Sequence, residues 1–401
     1  MLDRLTIERL ESASSGGPIV VGLSGGGDSR ALLHLLLQSF STSRLHAVII
    51  DHALRPGSEA DAAAARASAE AAGVAATIVT LSWPQGPNRA QDAARTARYE
   101  ALCNTARALN ARVIAVGHTR DDQAETVLLR AQRGSGWRGL AGMAPIAPAP
   151  IWPAGRGLWL ARPLLTHRRA VLRDLLREHG LAWIEDPANS NPDFARVRGR
   201  AALASLEHAG LDPMRFARLA ERLRAHADAI DDEALAIVAA TVRYEGDAIR
   251  IDRSRWRGSM AGQERALAAL IAAAGGADRM PLQEGLARLI ATERAATLAG
   301  ALIRPSRDAL RLSRDPGALK GRADGAAPPP PLPLQPEIEA VWDNRLALEV
   351  AEPGWSVVTQ NGTPVLYRGE ERLELPHVRH FWLLRERVEH LLGRINDTKI
   401  V

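Results

Sequence analysis

Cysteine is almost missing from this chain: Cys103 is the only one in 401 residues. That excludes an internal disulfide and any cysteine-cluster metal site, and it fits a reducing compartment such as the cytoplasm. Long apolar runs are missing too. No stretch approaches the roughly 18–20 residues of a membrane span, so no membrane partner is expected. The N-terminal MLDRLTIERLES carries acids and no apolar core, so a secretory signal is not expected either. Lysine is absent until Lys320, and the basic residues are almost all arginine. The common nucleotide loop GxxxxGK[ST] needs a lysine and is thereby excluded. Formal net charge is only +5. Arginine's planar fork suits phosphate and nucleic acid, yet codon bias alone can produce the same excess, so charge by itself leaves a nucleic-acid partner open.

What the sequence does contain is organised. Its length predicts two or three domains, and a hydrophobic content of 46% is enough for packed cores. Five short aliphatic runs stand out: PIVVGLS (18–24), LHAVIID (45–51), ATIVTLS (76–82), RVIAVGH (112–118) and LWLARPL (158–164). Such near-continuous runs mark strands buried on both faces. Helical spacing fills 28–40, 59–73, 90–110, 120–133 and 167–179. The alternation predicts an α/β fold with a doubly wound, mostly parallel sheet, over a first domain of residues 1–190. A mostly helical, arginine-rich region is expected over 191–325, with short strands mixed in from 246. A proline-rich spacer follows at 326–336, then a small C-terminal α+β region at 337–401, ending in an amphipathic helix. There is no internal repeat.

Ligands of doubly wound sheets bind beyond the carboxyl ends of the strands. Three polar groups of residues fall at such ends. The first is SGGGDS: Ser24, Gly25, Gly26, Gly27, Asp28 and Ser29. A glycine turn feeding a helix can bind an anion through backbone N–H groups, and a carboxylate beside phosphates suits a bridging Mg²⁺. The same residues can equally be a turn whose Asp28 and Ser29 cap the next helix. Asp51 and His52 follow the second strand. His118 follows the fourth, with Asp122 and Glu125 three apart on one helical face. A histidine with two acids can hold a metal, act as acid and base, or receive a cationic amine. It can also be a helix start favoured by the macrodipole. In AQDAARTARYEAL, Arg95 and Arg98 share a face with Tyr99, which fits a phosphate clamp or a solvated surface. Cys103 in the same helix reads as a small core residue.

Taken in order, SGGGDS, VIIDHALRPGSEADA, AQDAARTARYEAL, GHTRDDQAETVLLRAQRGSGWRGLAGM and ARPLLTHRRAVLRDLLREHGLAWIEDPANSNPDFARVRGR narrow the choice. The loop resembles the PP-loop of the N-type ATP pyrophosphatases, a Rossmann-like superfamily. The full set resembles the tRNA(Ile)-lysidine synthase family, closely over residues 18–200 and more loosely to 315. The resemblance implies an ATP-dependent carbon–nitrogen ligase. It would adenylylate the C2 carbonyl oxygen of the wobble cytidine in a CAU-anticodon isoleucine tRNA and then let free lysine displace AMP from C2, giving lysidine. It implies ATP held by residues 24–29 with His52 and His118, and Mg²⁺ at Asp28. Arg98 would face the α-phosphate, and Asp122 and Glu125 would receive the lysine ammonium. The tRNA backbone would lie along Arg196, Arg198 and Arg200. A homodimer is left open. One departure is Val197, where the family often carries Asn; another is the C-terminal region, which matches the longer members poorly. A sulfur-inserting relative needs paired cysteines and is disfavoured by Cys103 standing alone. An amide-forming PP-loop enzyme would leave the arginine-rich second half unexplained, and a silent tRNA-binding module is disfavoured by the intact acids.

Overall fold

The computed structural model describes residues 1–83, 91–185, 195–281, 286–290, 293–320 and 328–395. Two compact units part between Ala227 and Asp228. No helix among the described residues is long and apolar enough to cross a membrane.

The first unit runs α1 (Arg4–Ser14), β1 (Ile19–Gly22), α2 (Gly27–Leu37), β2 (Leu45–Asp51), α3 (Ser58–Glu70), β3 (Ala75–Thr80), α4 (Gln91–Ala108) and β4 (Val113–Val116). It continues with α5 (Arg120–Gln132), α6 (Trp137–Leu140), β5 (Ile146–Pro148), β6 (Trp159–Ala161), α7 (Arg169–Glu178), α8 (Ala195–His208) and α9 (Met214–Thr241), whose residues from Asp228 on belong to the second unit. Its six strands lie in the order β3-β2-β1-β4-β6-β5. All pairings are parallel except β5 with β6.

The strands form where β-branched residues can be covered on both sides. Ile19 and Val21 of β1 pack with Leu32 and Leu36 of α2, while Val20 between them packs with Leu102 and Cys103 of α4. Each such side chain contributes roughly 1.5–3 kcal/mol by leaving water. Burial pushes the Cys103 thiol up to about 12, so it stays protonated in the core. Chain order reverses on either side of β1, whose neighbours are β2 and β4. That is the switch point where such sheets open a crevice.

The sequence pattern does not predict α1, the short α6 or β5. α1 begins at Asp3, whose carboxylate accepts from the Thr6 N–H. β5 is a three-residue edge strand within a proline-rich stretch, and proline is tolerated at an edge because no ladder bond is lost there.

The second unit opens with β7 (Val242–Glu245), β8 (Ala248–Asp252), α10 (Met260–Gly275), α11 (Leu286–Ile290), β9 (Ala296–Leu298), β10 (Ala301–Pro305) and β11 (Ala309–Arg314). The strands form an antiparallel sheet in the order β7-β8-β11-β10-β9. The second half of the arginine-rich region is thus built on a sheet, with α10 packed on it. After α12 (Pro316–Lys320) come β12 (Leu332–Pro333), β13 (Ala340–Trp342), β14 (Leu346–Glu349), β15 (Ser356–Gln360), β16 (Thr363–Arg368), β17 (Glu371–Glu374), β18 (Arg379–Trp382) and α13 (Leu384–Leu391). They make the sheets β12-β15-β16-β17 and β13-β14-β18. The proline-rich run begins outside the described residues, but its later part is built in. Leu332 and Pro333 pair with β15, and Leu334 is buried. The terminal helix α13 sends Leu384 and Val388 into the same core as α10.

Candidate active site

The loop after β1 is closed by its own side chains. Ser29 Oγ donates to the Gly26 carbonyl (2.9 Å) and accepts from the Ser24 N–H (3.1 Å), with Ser24 Oγ also 3.1 Å away. The Ser29 hydroxyl therefore shapes the loop. Gly25 has φ +80°, and a Cβ on it would meet Ile184 Cδ1 at 2.6 Å, so only glycine fits. Gly26 caps α2 without any side-chain bond. The first-turn N–H groups of α2 therefore keep their anion-binding capacity.

A cavity of about 490 Å³ opens at the carboxyl ends of β1 and β2. Ser24, Gly26, Asp51, His52, Arg98 and Leu102 are among its walls. Arg98 of α4 thus lines the same cavity as the loop that precedes it by about seventy residues. Burial, with Arg98 close by, depresses the pKa of His52, so the imidazole is neutral near pH 7. Its Nδ1 is buried with no hydrogen-bond partner among the described residues. Its carbonyl accepts from Trp83 Nε1 at 2.6 Å.

The acids stand at the start of α5. Thr119 and Asp122 form a capping box: the Thr119 N–H and Oγ1 both donate to Asp122 Oδ2 at 2.8 Å. Capping therefore uses one oxygen of Asp122 and leaves Oδ1 for another partner. That partner is Arg169, at the first position of α7. Its Nη2 donates to Asp122 Oδ1 (2.8 Å), Nη1 to Glu125 Oε1 (3.3 Å) and Nε to Asp28 Oδ2 (3.1 Å). One guanidinium bridges the loop carboxylate and both acids of α5. Its position is fixed from behind, where the Arg169 N–H donates to Asp121 Oδ2 at 2.8 Å.

Electrostatics split the acids. Burial pushes Asp122 up, but Arg169 and the Thr119 hydrogen bonds more than offset it, and its pKa lies below the ordinary value. His118, buried just ahead of Thr119, acts on Asp122 in the same direction. Glu125 lies above its ordinary value through burial and the Asp122 charge, against Arg200 and Arg169. Asp28 is also raised, by burial first, with Arg169 opposing. Glu125 Oε2 is buried with no hydrogen-bond partner among the described residues.

Other expected residues divide. Arg200, expected to face RNA, turns inward and donates from Nε to Glu125 Oε1 at 2.7 Å. Its neighbour Arg198 is exposed on α8. The Arg196 side chain and the segment DPANSNPDF from Asp186 to Phe194 lie outside the described residues. Arg169 was the residue missed. A signal existed: it is a cation at a helix N-terminus, against the macrodipole, which calls for nearby carboxylates. For a divalent ion, no cluster of three or more His, Cys, Asp or Glu is found among the described residues. Asp28 is a single carboxylate beside an anion loop, which fits the Mg²⁺ mode that draws its other ligands from phosphate and water.

Comparison with known proteins agrees with this geometry. The PP-loop domain family matches residues 4–207. A tRNA(Ile)-lysidine synthase of Caulobacter vibrioides is 36% identical over 380 residues, covering 93% of this chain and 84% of that protein. One from Hyphomonas neptunium is 46% identical over 189 residues, 46% of this chain and 50% of that protein. One from Ruegeria pomeroyi is 35% identical over 304 residues, 74% of this chain and 70% of that protein. With the glycine loop and the acids of α5 inside the matched region, and a relative 36% identical covered over 84% of its length, the chain belongs to the tRNA(Ile)-lysidine synthase family.

Proposed function

We propose that this protein is a carbon–nitrogen ligase that joins lysine to C2 of the wobble cytidine in a CAU-anticodon isoleucine tRNA at the expense of ATP. One observation carries the reading. The Arg169 guanidinium touches Asp28 of the phosphate loop and Asp122 and Glu125 of α5 at once, within 3.3 Å of each. A phosphate-binding end and a cation-binding end are therefore within one side chain's reach, as a reaction between a nucleotide and an amine requires.

In the first step the cytidine O2 attacks the α-phosphorus and pyrophosphate leaves. The first-turn N–H groups of α2 and the glycine backbone hold the phosphates. Arg98, on the cavity wall, stabilises charge at the α-phosphate. Asp28 would hold Mg²⁺, which neutralises phosphate charge when bound. Neutral His52 offers its unpartnered Nδ1 to the nucleotide, and His118 steadies the start of α5. In the second step the lysine ε-amine attacks C2 and AMP leaves. Asp122 and Glu125 receive the ammonium, and Glu125, whose pKa is raised, takes the proton that the amine must lose. Arg198, exposed on α8, and Arg196 contact the tRNA backbone, which positions the RNA without specifying sequence.

The test is incubation with ATP, Mg²⁺, radiolabelled lysine and CAU-anticodon tRNA(Ile). Label is expected in that tRNA and not in a methionine tRNA with the same anticodon. No label, or equal label in both, overturns the reading.

A further inference from the structure

The helices α2, α5 and α7 all begin at one point. Asp28 stands in the first turn of α2, Asp122 in the first turn of α5, and Arg169 opens α7. Three helix N-termini together favour anions, yet a guanidinium lies among them, only 16% exposed. It is kept there by the three carboxylates it bridges. With Arg200, two guanidiniums face three carboxylates.

Each ligand of the proposed reaction changes that balance. Mg²⁺ and triphosphate draw Asp28 away from Arg169 and bring fresh oxyanions to the helix ends. A lysine ammonium arriving at Asp122 and Glu125 would crowd three cations around two carboxylates, unless Arg169 leaves. The triphosphate gives the released fork a bidentate partner. Lysine alone offers the guanidinium no new partner; the nucleotide both releases it from the acids and rehouses it.

We propose that Arg169 is a positioning residue that occupies the ammonium site in the ligand-free protein and moves to the triphosphate when ATP binds, coupling the two substrate sites. The proposal rests on the functional reading above. Its consequence is thermodynamic: ATP opens the lysine site, and by linkage lysine must tighten ATP by the same factor.

Calorimetric titration of the full-length protein with L-lysine tests this, without and with Mg²⁺ and α,β-methylene ATP, and then in the reverse order. In the natural protein each ligand is expected to tighten the other on the order of tenfold. In Arg169→Ala, lysine is expected to bind the analogue-free protein more tightly than before, and the mutual factor to fall to about one. Should that variant fail to fold, Arg169→Lys serves. Its point charge cannot span three carboxylates, so the factor is expected to fall severalfold. A merely structural role for Arg169 would weaken both ligands and leave the factor unchanged. Independent binding in the natural protein, or an undiminished factor in the folded variants, overturns the proposal. Absence of lysine binding with and without the analogue, in a protein that still labels tRNA, overturns it too. A protein that labels no tRNA has lost the underlying reading instead.

Discussion

A Cβ placed on Gly117 would lie 2.9 Å from the carbonyl oxygen of Asp28 and 3.0 Å from the Ser29 N. The end of β4 thus presses directly on the first turn of α2, backbone against backbone, with no flexible side chain to give way. Gly117→Ala must displace one of the two. The expected cost is about 1–3 kcal/mol of stability, with a raised KM for ATP because the phosphate loop moves. Thermal unfolding and ATP kinetics check both; a variant unchanged in both would show the contact to be slack.

Asp28 and Glu125 serve different steps in the proposed reaction. Asp28→Ala is expected to abolish pyrophosphate release, since adenylylation needs the phosphate end. Glu125→Ala is expected to spare pyrophosphate release more than lysine transfer, leaving adenylylated tRNA to accumulate. Parallel assays of released pyrophosphate and incorporated lysine separate the two. Equal loss of both steps in Glu125→Ala would refute the division of labour.

The raised Glu125 fixes a pH dependence. Burial and Asp122 lift it above the ordinary glutamate value of about 4.3. The folded protein therefore favours protonated Glu125 more than the unfolded chain does. That contribution to stability is whole below the ordinary value and is lost as pH rises through the raised one. Ammonium binding needs the ionised form, so lysine affinity is expected to rise with pH across the same interval, displaced upward from an ordinary carboxylate. Titrations with lysine between about pH 4 and 7 would show it, and Glu125→Gln should flatten the curve. A natural protein titrating at or below the ordinary value contradicts the assignment.

In the second unit, Asp343 accepts a fork from Arg314 (2.8 and 2.9 Å) and a further bond from Arg345 Nε at 2.9 Å. The Arg345 side chain is only 2% exposed. Removing the shared carboxylate strands a buried cation, which costs about 3–5 kcal/mol. Asp343→Ala is expected to lower the melting temperature of this unit by about 10 °C or more, and Asp343→Asn by less. A shift of under about 2 °C for the alanine variant would mean that Arg345 finds water or another acceptor.

How much was legible follows from what each residue depends on. β1, β2 and β4 could be read because Ile, Val and Ala in unbroken runs have few other fates. β5 could not, because Ile146, Ala147 and Pro148 gain strand character only from the neighbour β6. Asp122 and Glu125 were legible because helical spacing alone puts them together. Their partner was not: Arg169 is 44 to 141 positions from the carboxylates it joins, in a chain rich in arginine. Arg200 was read outward for the related reason that composition does not say which way a helix turns; Glu125 decides it, at 2.7 Å.

The arginines around this site share a further property. Arg98, Arg169 and Arg200 carry their charge as delocalised guanidinium groups, with no lone pair free to attack carbon. Residues 1–227 contain no lysine at all. In the proposed reaction the base activated at C2 is an electrophile, and a side-chain amine beside it would be captured, inactivating the enzyme with its own intermediate. The side chains of residues 1–227 carry their positive charge without a single primary amine. In the proposed reaction the substrate would bring a side-chain amine to a stretch of chain, residues 1–227, that has none of its own.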